Sequence, residues 1–287
     1  MTLADTTSIP SVTASTAVDP SQTVGSAKGV RRRRVLSAAG TVLTRSVAIV
    51  AFLLLWEFAP RFGWVDTTFL PPFTQVVHAW WSLAQSGELW TDVRASLTRS
   101  LSGFAIAIVV AVPVGLLIAW YRHVEQVLSP LFAIFLNTAA VALLPVFTLI
   151  LGIGETSKIA IIAYASFWPV LYNTIGGAKN VDPLLIRSAR SFGIGSFALF
   201  RKVVLPAALP TIFTGIRLAG AASILVLITT EFVGAKAGLG YLISSEQFNF
   251  QIPQMYAGII TVAGIGVAFN YLLIALERRF SRWRTGA

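Results

Sequence analysis

The residues able to do chemistry are few and scattered through apolar runs. They include Asn137, Thr138, Thr148, Asn173, Arg217, Ser223, Thr229, Thr230, Glu231 and Asn270. Polar groups inside apolar segments are costly in lipid, which makes them candidates for lining a solute path. The structural alternative is a hydrogen bond to a neighbouring helix. Asn137 and Ser223 are the choices for lining a cavity. Arg217 and Glu231 lie toward opposite ends of one apolar segment. Arg217 either pairs with a helix C terminus or lipid phosphate, or captures an anion leaving the path. Glu231 pairs with Lys236 or shapes an outer gate, and Glu57 does the same or lies among lipid headgroups.

Other chemistries are excluded by what is missing. The chain has no cysteine and two histidines, His78 and His123, which removes disulfides, thiolate metal sites and histidine-rich metal sites. It has no G-x-x-x-x-G-K-[ST] phosphate loop. The nearest string, Gly152-Ile153-Gly154-Glu155-Thr156-Ser157-Lys158, lacks the glycine before its lysine. No nucleophile elbow or H-E-x-x-H is present either. No catalytic, metal or cofactor site is therefore expected in this chain.

The elements that position these residues follow from composition. The chain has 287 residues, of which 55% are hydrophobic and 12% charged. That charged share is about half the value of an ordinary soluble domain. A mean hydropathy of +0.75 makes lipid the main solvent. Crossing a bilayer core takes about 20 apolar residues at about 1.5 Å each. Six stretches qualify, near 43–62, 101–121, 127–151, 158–177, 207–231 and 255–276. Between the first two, Leu70-Pro71-Pro72, Trp80, Trp81, Leu83, Leu89 and Trp90 form an amphipathic stretch. Tryptophan favours the headgroup level, so this reads as an interfacial helix and not as a seventh span. In the second span, Gly103, Ala107, Ala111, Gly115 and Ala119 recur every four residues, a face for close helix approach within the chain or between subunits.

The net charge is +10, from 22 Lys and Arg against 12 Asp and Glu. In a soluble protein this would suggest nucleic acid; in a membrane protein it reports cytoplasmic loops. With the N terminus inside, sixteen cations fall on the cytoplasmic side and five (Arg61, Arg94, Arg99, Lys158, Lys236) outside, with Arg217 in a span. Both termini are then cytoplasmic. Residues 1–42 read as a disordered basic tail containing Arg31 to Arg34, and 43–281 as the membrane domain. Arg31 to Arg34 sit too deep in the chain for a signal peptide, and no small-residue cleavage site follows.

Residues 178–206 are the least membrane-like stretch between spans. Asp182-Pro183 reads as a helix start, with Asp as cap and Pro at the first helical position. Leu184, Leu185, Ser188, Ala189 and Phe192 follow at helical spacing, and Gly193 and Gly195 break the helix. A second amphipathic piece holds Phe197, Phe200, Arg201, Lys202, Val203 and Val204, and Pro206 is expected to stop it before the next span. A loop of two short helices exposing apolar residues beside cations suits docking to a partner. The alternative is a surface loop whose cations face anionic lipid.

This stretch resembles the EAA loop of bacterial ABC importer permeases. The family pattern is E-A-A, three residues, Gly, nine residues, Ile-x-Leu-Pro. Here Arg187-Ser188-Ala189, Gly193, Val203, Leu205 and Pro206 stand at that spacing. Leu171-Tyr172-Asn173-Thr174-Ile175, Asn180-Val181-Asp182-Pro183, Leu205-Pro206-Ala207-Ala208-Leu209-Pro210, Thr214-Gly215-Ile216-Arg217 and Gly238-Leu239-Gly240-Tyr241-Leu242-Ile243 look like the nitrate/sulfonate/taurine/bicarbonate branch. The likeness is strong from about Leu149 to Ile243 and continuous from about residue 43 onward.

The resemblance implies an all-α integral membrane protein with a MetI-like type I ABC importer permease fold of six transmembrane helices. It implies that Asp182–Leu205 is a coupling helix seated in a groove of a separate ATP-binding subunit. Leu185, Phe192 and Phe197 would fill that groove, and Arg190 and Lys202 would pair with acidic rims. It also implies a second permease copy, two ATP-binding subunits that hold ATP and Mg²⁺, and an extracytoplasmic binding protein. Two departures stand out. Arg187 and Ser188 replace the Glu and first Ala of the motif. Ala139 and Ala140 stand where branch members often carry further prolines ahead of the one matching Pro145, so a straighter third span is expected. The branch carries small oxyanions and sulfonates, and some relatives carry thiamine-precursor pyrimidines or other organic solutes. A stand-alone secondary transporter would need buried acid pairs for ion coupling, which the sequence does not offer.

Overall fold

A computed structural model describes residues 47–280. The tail 1–42, with Arg31 to Arg34, and the cations Arg282 and Arg284 lie outside the described residues. The chain divides into two units at Phe58 and Ala59. Residues 47–61 are helical (α1), and the first unit contributes only the part up to Phe58. Val47, Phe52 and Leu55 are all exposed there. Exposed apolar side chains suit a helix in contact with lipid. The remainder of the first expected span, 43–46, is outside the described residues.

The second unit is helical throughout its regular structure. After Pro71-Pro72 comes α2 (Phe73–Ser86), 14 residues long, which buries Val76, Ala79 and Leu83 and exposes Trp81. At about 1.5 Å per residue it reaches about 21 Å, too short to cross a bilayer core. Gly87 at φ 84° turns the chain directly into α3 (Glu88–Trp120). That helix starts well before the expected second span at 101, so Leu89 and Trp90 belong to α3 and not to the interfacial stretch.

The third span is not straight. α4 (Arg122–Asn137) and α5 (Leu144–Leu151) are separated by a 3-10 turn at Ala140–Leu143 and bend by 89°. The expectation of a straighter span from Ala139 and Ala140 is corrected. Thr138 and Ala139 both adopt extended backbone, and Pro145, in the first turn of α5, lacks an amide to bond back into the preceding turn. The Tyr164 hydroxyl donates to the Phe135 carbonyl at 3.3 Å, and Phe135 stacks on Trp168 at 5.3 Å. These contacts tie the end of α4 to α6 just ahead of the break, while Asn137, Ala139, Val141 and Ala142 are exposed.

Next come α6 (Glu155–Lys179), α7 (Pro183–Ser191), α8 (Ser196–Leu199), α9 (Leu205–Glu231), α10 (Leu239–Phe248) and α11 (Ile252–Phe280). Among the described residues, α3, α6, the run Ser196–Glu231 and α11 are long and apolar enough to cross a membrane, and the bent pair α4–α5 makes a fifth crossing if counted as one. α6 and α11 match the expected fourth and sixth spans to within a few residues.

The centre of the unit is α3, α6 and α9 in close contact. A Cβ at Gly103 would lie 2.8 Å from the Ile159 carbonyl, and one at Gly115 would lie 2.8 Å from Thr174. Ala107 and Ala111 between them are buried. The small-residue face of α3 is therefore used within the chain, against α6. On the other side of α6, a Cβ at Gly215 would lie 2.5 Å from Asn173. Apolar burial drives no association in lipid, so backbone proximity and dispersion hold such helices together. Phe104, Ile118, Val170, Leu171 and Ala219 fill the space between them.

Candidate functional site

The segment 178–206 folds as two short helices joined at a glycine. The Asp182 carboxylate accepts from the Leu184 amide at 2.8 Å and caps α7, with Pro183 in its first turn. The helix ends on Gly193 at φ 77°. The Gly193 amide donates to the Arg190 carbonyl at 2.9 Å, and the Ile194 amide to the Ala189 carbonyl at 3.2 Å. This pair of bonds closes a helix end only when the intervening residue is left-handed, which glycine adopts without strain. Val181, Ala189, Leu199 and Val204 are buried and fix the segment to the body. Trp120 at the end of α3 meets Phe200 edge-to-face at 5.4 Å.

The opposite face is open. Leu184, Leu185, Phe192 and Phe197 are exposed, the last two by 84% and 77%. Arg187, Ser188, Arg190 and Lys202 are exposed beside them. One expectation for this segment is corrected: Pro206 does not stop a helix. The chain runs as one continuous helical stretch from Ser196 through Leu205 and Pro206 to Glu231, with Phe200–Val204 forming a π turn. The proline withholds the amide that residue 202 would have received. Widening the preceding turn relieves that loss and the ring clash together.

Of the two expectations for Glu231, pairing with Lys236 or shaping an outer gate, the first is corrected: its partners are elsewhere. Glu231, fully buried, accepts from Arg99 Nη1 at 2.7 Å, the Ser96 hydroxyl at 2.8 Å and the Gly240 amide at 2.8 Å, while Lys236 stays exposed. Arg99 also holds Glu155 through Nε at 2.5 Å and Nη2 at 2.7 Å, and donates to the Ala237 carbonyl at 2.7 Å. Asp92 accepts from the Gly238 amide at 2.7 Å, and the Ser96 hydroxyl accepts from the Leu239 amide at 2.8 Å. The first amides of α10 thus point at oxygens carried by α3 and α9, as the positive end of a helix favours. Gly238 stands at φ 127°, and a Cβ there would lie 2.5 Å from the Glu231 carboxyl. The sequence reading counted Arg99 only as an outer-side cation. The available signal was that Arg99, Glu155 and Glu231 all stand at the same end of alternately directed helices.

Arg217 pairs with Glu277 of α11, Nη1 to Oε2 at 3.1 Å. It also lines a cavity of about 590 Å³ between α9 and α11, with Asn270, Thr229, Ile224, Leu225 and Phe269. Ser223 does not line that cavity. It is fully buried, donates to the Gly220 carbonyl at 2.8 Å and shares a hydrogen bond of 3.3 Å with Ser100 of α3. Its role is to join two helices. Asn137 is exposed at the end of α4, beside the bend. Lys179 at the end of α6 pairs with Glu125 at the start of α4.

Comparison with known proteins places these features. Residues 111–284 match a family described as binding-protein-dependent transport system inner membrane component. The chain is 35% identical over 234 residues to the putative aliphatic sulfonates transport permease protein SsuC of Escherichia coli strain K12, covering 82% of this chain and 89% of that one. It is 32% identical over 247 residues to the taurine transport system permease protein TauC of the same strain, covering 84% and 90%. Among solved structures, an inward-facing form of the MetNI methionine ABC transporter aligns over 67% of this chain and 95% of that chain, with a TM-score of 0.60 and 19% identity. That last likeness concerns the fold.

Proposed function

This chain belongs to the family of binding-protein-dependent transport system inner membrane components, and from that premise we propose that it forms the translocation path for a small organic anion of the aliphatic sulfonate or taurine kind. It is a multi-pass membrane permease component, and ATP is hydrolysed on a separate subunit. In the proposed assembly two copies face each other, two ATP-binding subunits carry ATP and Mg²⁺ inside, and an extracytoplasmic binding protein delivers the solute. Six crossings, with α1 as the first, leave both termini inside, and α2 lies along the outer interface.

The observation that carries this reading is the open face of 182–206. Leu185, Phe192 and Phe197 offer an apolar ridge, and Arg190 and Lys202 flank it with charge. A groove with an apolar floor and acidic rims fits it. Asp182, Ala189, Gly193, Leu205 and Pro206 shape the ridge and do not face a partner. The exposed Arg187 takes the place of the usual acid and pairs with an acidic group of the ATPase. Because Phe197 and Lys202 lie on the stretch continuous with α9, a displacement of that end of the ridge reaches Arg217 and Glu231 through one helix. ATP binding would draw the inner subunits together and open the path outward, and hydrolysis would reverse it.

Gly193→Pro tests the assignment. Proline forbids φ 77° and removes the bond to Arg190. In proteoliposomes holding the complete transporter, the variant should still assemble while solute-stimulated ATP hydrolysis and taurine uptake separate. A variant that transports and hydrolyses like the wild type would end the coupling assignment. Uptake of a thiamine-precursor pyrimidine in place of any sulfonate would instead end the substrate assignment.

A further inference from the structure

Arg99 and Arg217, both on spanning helices, stand under opposite conditions. Arg99 is almost wholly buried and saturated, with two carboxylates and a carbonyl around it. Arg217 is 37% exposed, makes a single hydrogen bond to Glu277 among the described residues, and borders the α9–α11 cavity. A guanidinium has five donors in a planar fork that matches two oxygens of one anion. Arg217 therefore retains donors that can face the cavity.

The cavity itself is two-sided in character. α9 and α11 run antiparallel along it. Arg217 lies opposite Glu277, Gly220 opposite Leu273 and Phe269, and Ile224 opposite Gly266. Arg217 is the one charged residue of the lining and sits toward the inner end, while Ile224, Leu225, Ile228, Phe269 and Leu273 make most of the remaining wall apolar, with Asn270 partway along and Thr229 at the far end. A charge fork at the foot of an apolar wall fits a small organic anion: headgroup on Arg217, tail along the wall. An inorganic oxyanion would lose hydration against that wall without burying apolar surface in return.

Glu277 is a weak resting partner. It stands in the last turns of α11, where the carbonyl end of the helix disfavours a carboxylate, and its single hydrogen bond spans 3.1 Å. A doubly hydrogen-bonded anionic head can displace it. We infer that Arg217 is the headgroup contact for a small organic anion in the α9–α11 cavity, and that Glu277 is its exchangeable counter-ion, returning when the solute leaves. This rests on the anion-permease reading above. It adds a specificity-determining residue and a means of release.

The test exchanges the charges, Arg217→Glu with Glu277→Arg, in the complete transporter in proteoliposomes. The readouts are copurification of the subunits and uptake of radiolabelled butanesulfonate. A purely structural ion pair would be restored by the exchange, and uptake would stay near wild type; that result overturns the inference. The expected result is an assembled complex with uptake reduced at least tenfold, because a carboxylate now borders the cavity. Should the exchanged pair fail to assemble, the neutral pair Arg217→Gln with Glu277→Gln serves: uptake down at least tenfold supports the inference, and uptake at wild-type level overturns it. Glu277→Gln by itself should keep uptake and lower the butanesulfonate concentration for half-maximal rate; a rise overturns the counter-ion role. A wild-type transporter that takes up neither butanesulfonate nor taurine ends the anion reading itself, a failure distinct from the others.

Discussion

Arg99 of α3 and Glu231 of α9 stand 132 positions apart and meet at 2.7 Å. Around that contact the Glu231 carboxylate also takes the Ser96 hydroxyl and the Gly240 amide. With Glu155 of α6 also held by Arg99, that one side chain fastens α3, α6 and α9, which are not consecutive in the chain.

Removing one partner leaves the other charged and buried. Arg99→Gln should lower stability by about 3–5 kcal/mol. The thermal midpoint of the detergent-solubilised protein reads this directly. Replacing Arg99, Glu155 and Glu231 together by neutral residues should recover part of the loss. A single variant with an unchanged midpoint would show that the cluster is not fastening the helices.

Close helix crossing makes a second prediction with its own control. A Cβ at Gly215 meets Asn173 Cβ at 2.5 Å and the Pro169 carbonyl at 2.9 Å, neither of which can yield. At Gly266 the nearest atom is Ile224 Cδ1 at 3.9 Å. Gly215→Ala should therefore reduce the yield of monodisperse protein, although alanine is the better helix former by about 1 kcal/mol. Gly266→Ala should leave the yield equal or higher. Equal behaviour of the two would refute the crossing.

The exposed ridge should be separable from folding. Phe192→Ser and Phe197→Ser remove apolar area that is mostly exposed, so the thermal midpoint of the isolated permease should correspond to a change within about 0.5 kcal/mol. Copurification of the ATP-binding subunit should fall clearly. Loss of stability without loss of the partner would reverse the assignment of that face.

Glu246 of α10 gives a pH dependence. Burial, and then the negative charges of Glu88 and Asp92, hold its carboxyl above the ordinary value of 4.5. The folded state thus favours the protonated form. This contribution to stability is fully present below the ordinary value and is lost as pH rises through the elevated one. Glu246→Gln should flatten the midpoint-against-pH curve in that window and raise the midpoint at neutral pH. A curve of unchanged slope would remove Glu246 from the account.

Most of the scaffold was legible because lipid imposes a simple rule, and α6 and α11 fall where apolar length put them. The capped start at Asp182 and the break at Gly193 were legible because local backbone chemistry decides both. What escaped was decided by distant partners. Nothing near Glu231 in sequence names Arg99, and the exposed Lys236 was the nearer cation. The 89° bend at Thr138–Ala139 escaped because nothing local marks its two extended residues, and the Tyr164 and Trp168 contacts that hold Phe135 just ahead of it come from another helix. Pro206 misled because the π turn that absorbs it leaves no mark in composition. Ser223 looked like a cavity residue because a hydroxyl in an apolar run is the same letter whether it meets solute or Ser100.

The unbroken run from Ser196 to Glu231 has 36 residues, which at about 1.5 Å each makes a rod of about 54 Å. Its tightest crossing, at Gly215, falls near the middle, about 28 Å from one end and about 24 Å from the other. A rod crossed there and tied through Glu231 to Arg99 at its outer end cannot tilt about Gly215 by itself. Its outer end travels only together with α3, so a displacement of the inner end is shared among helices and not lost in the independent motion of one.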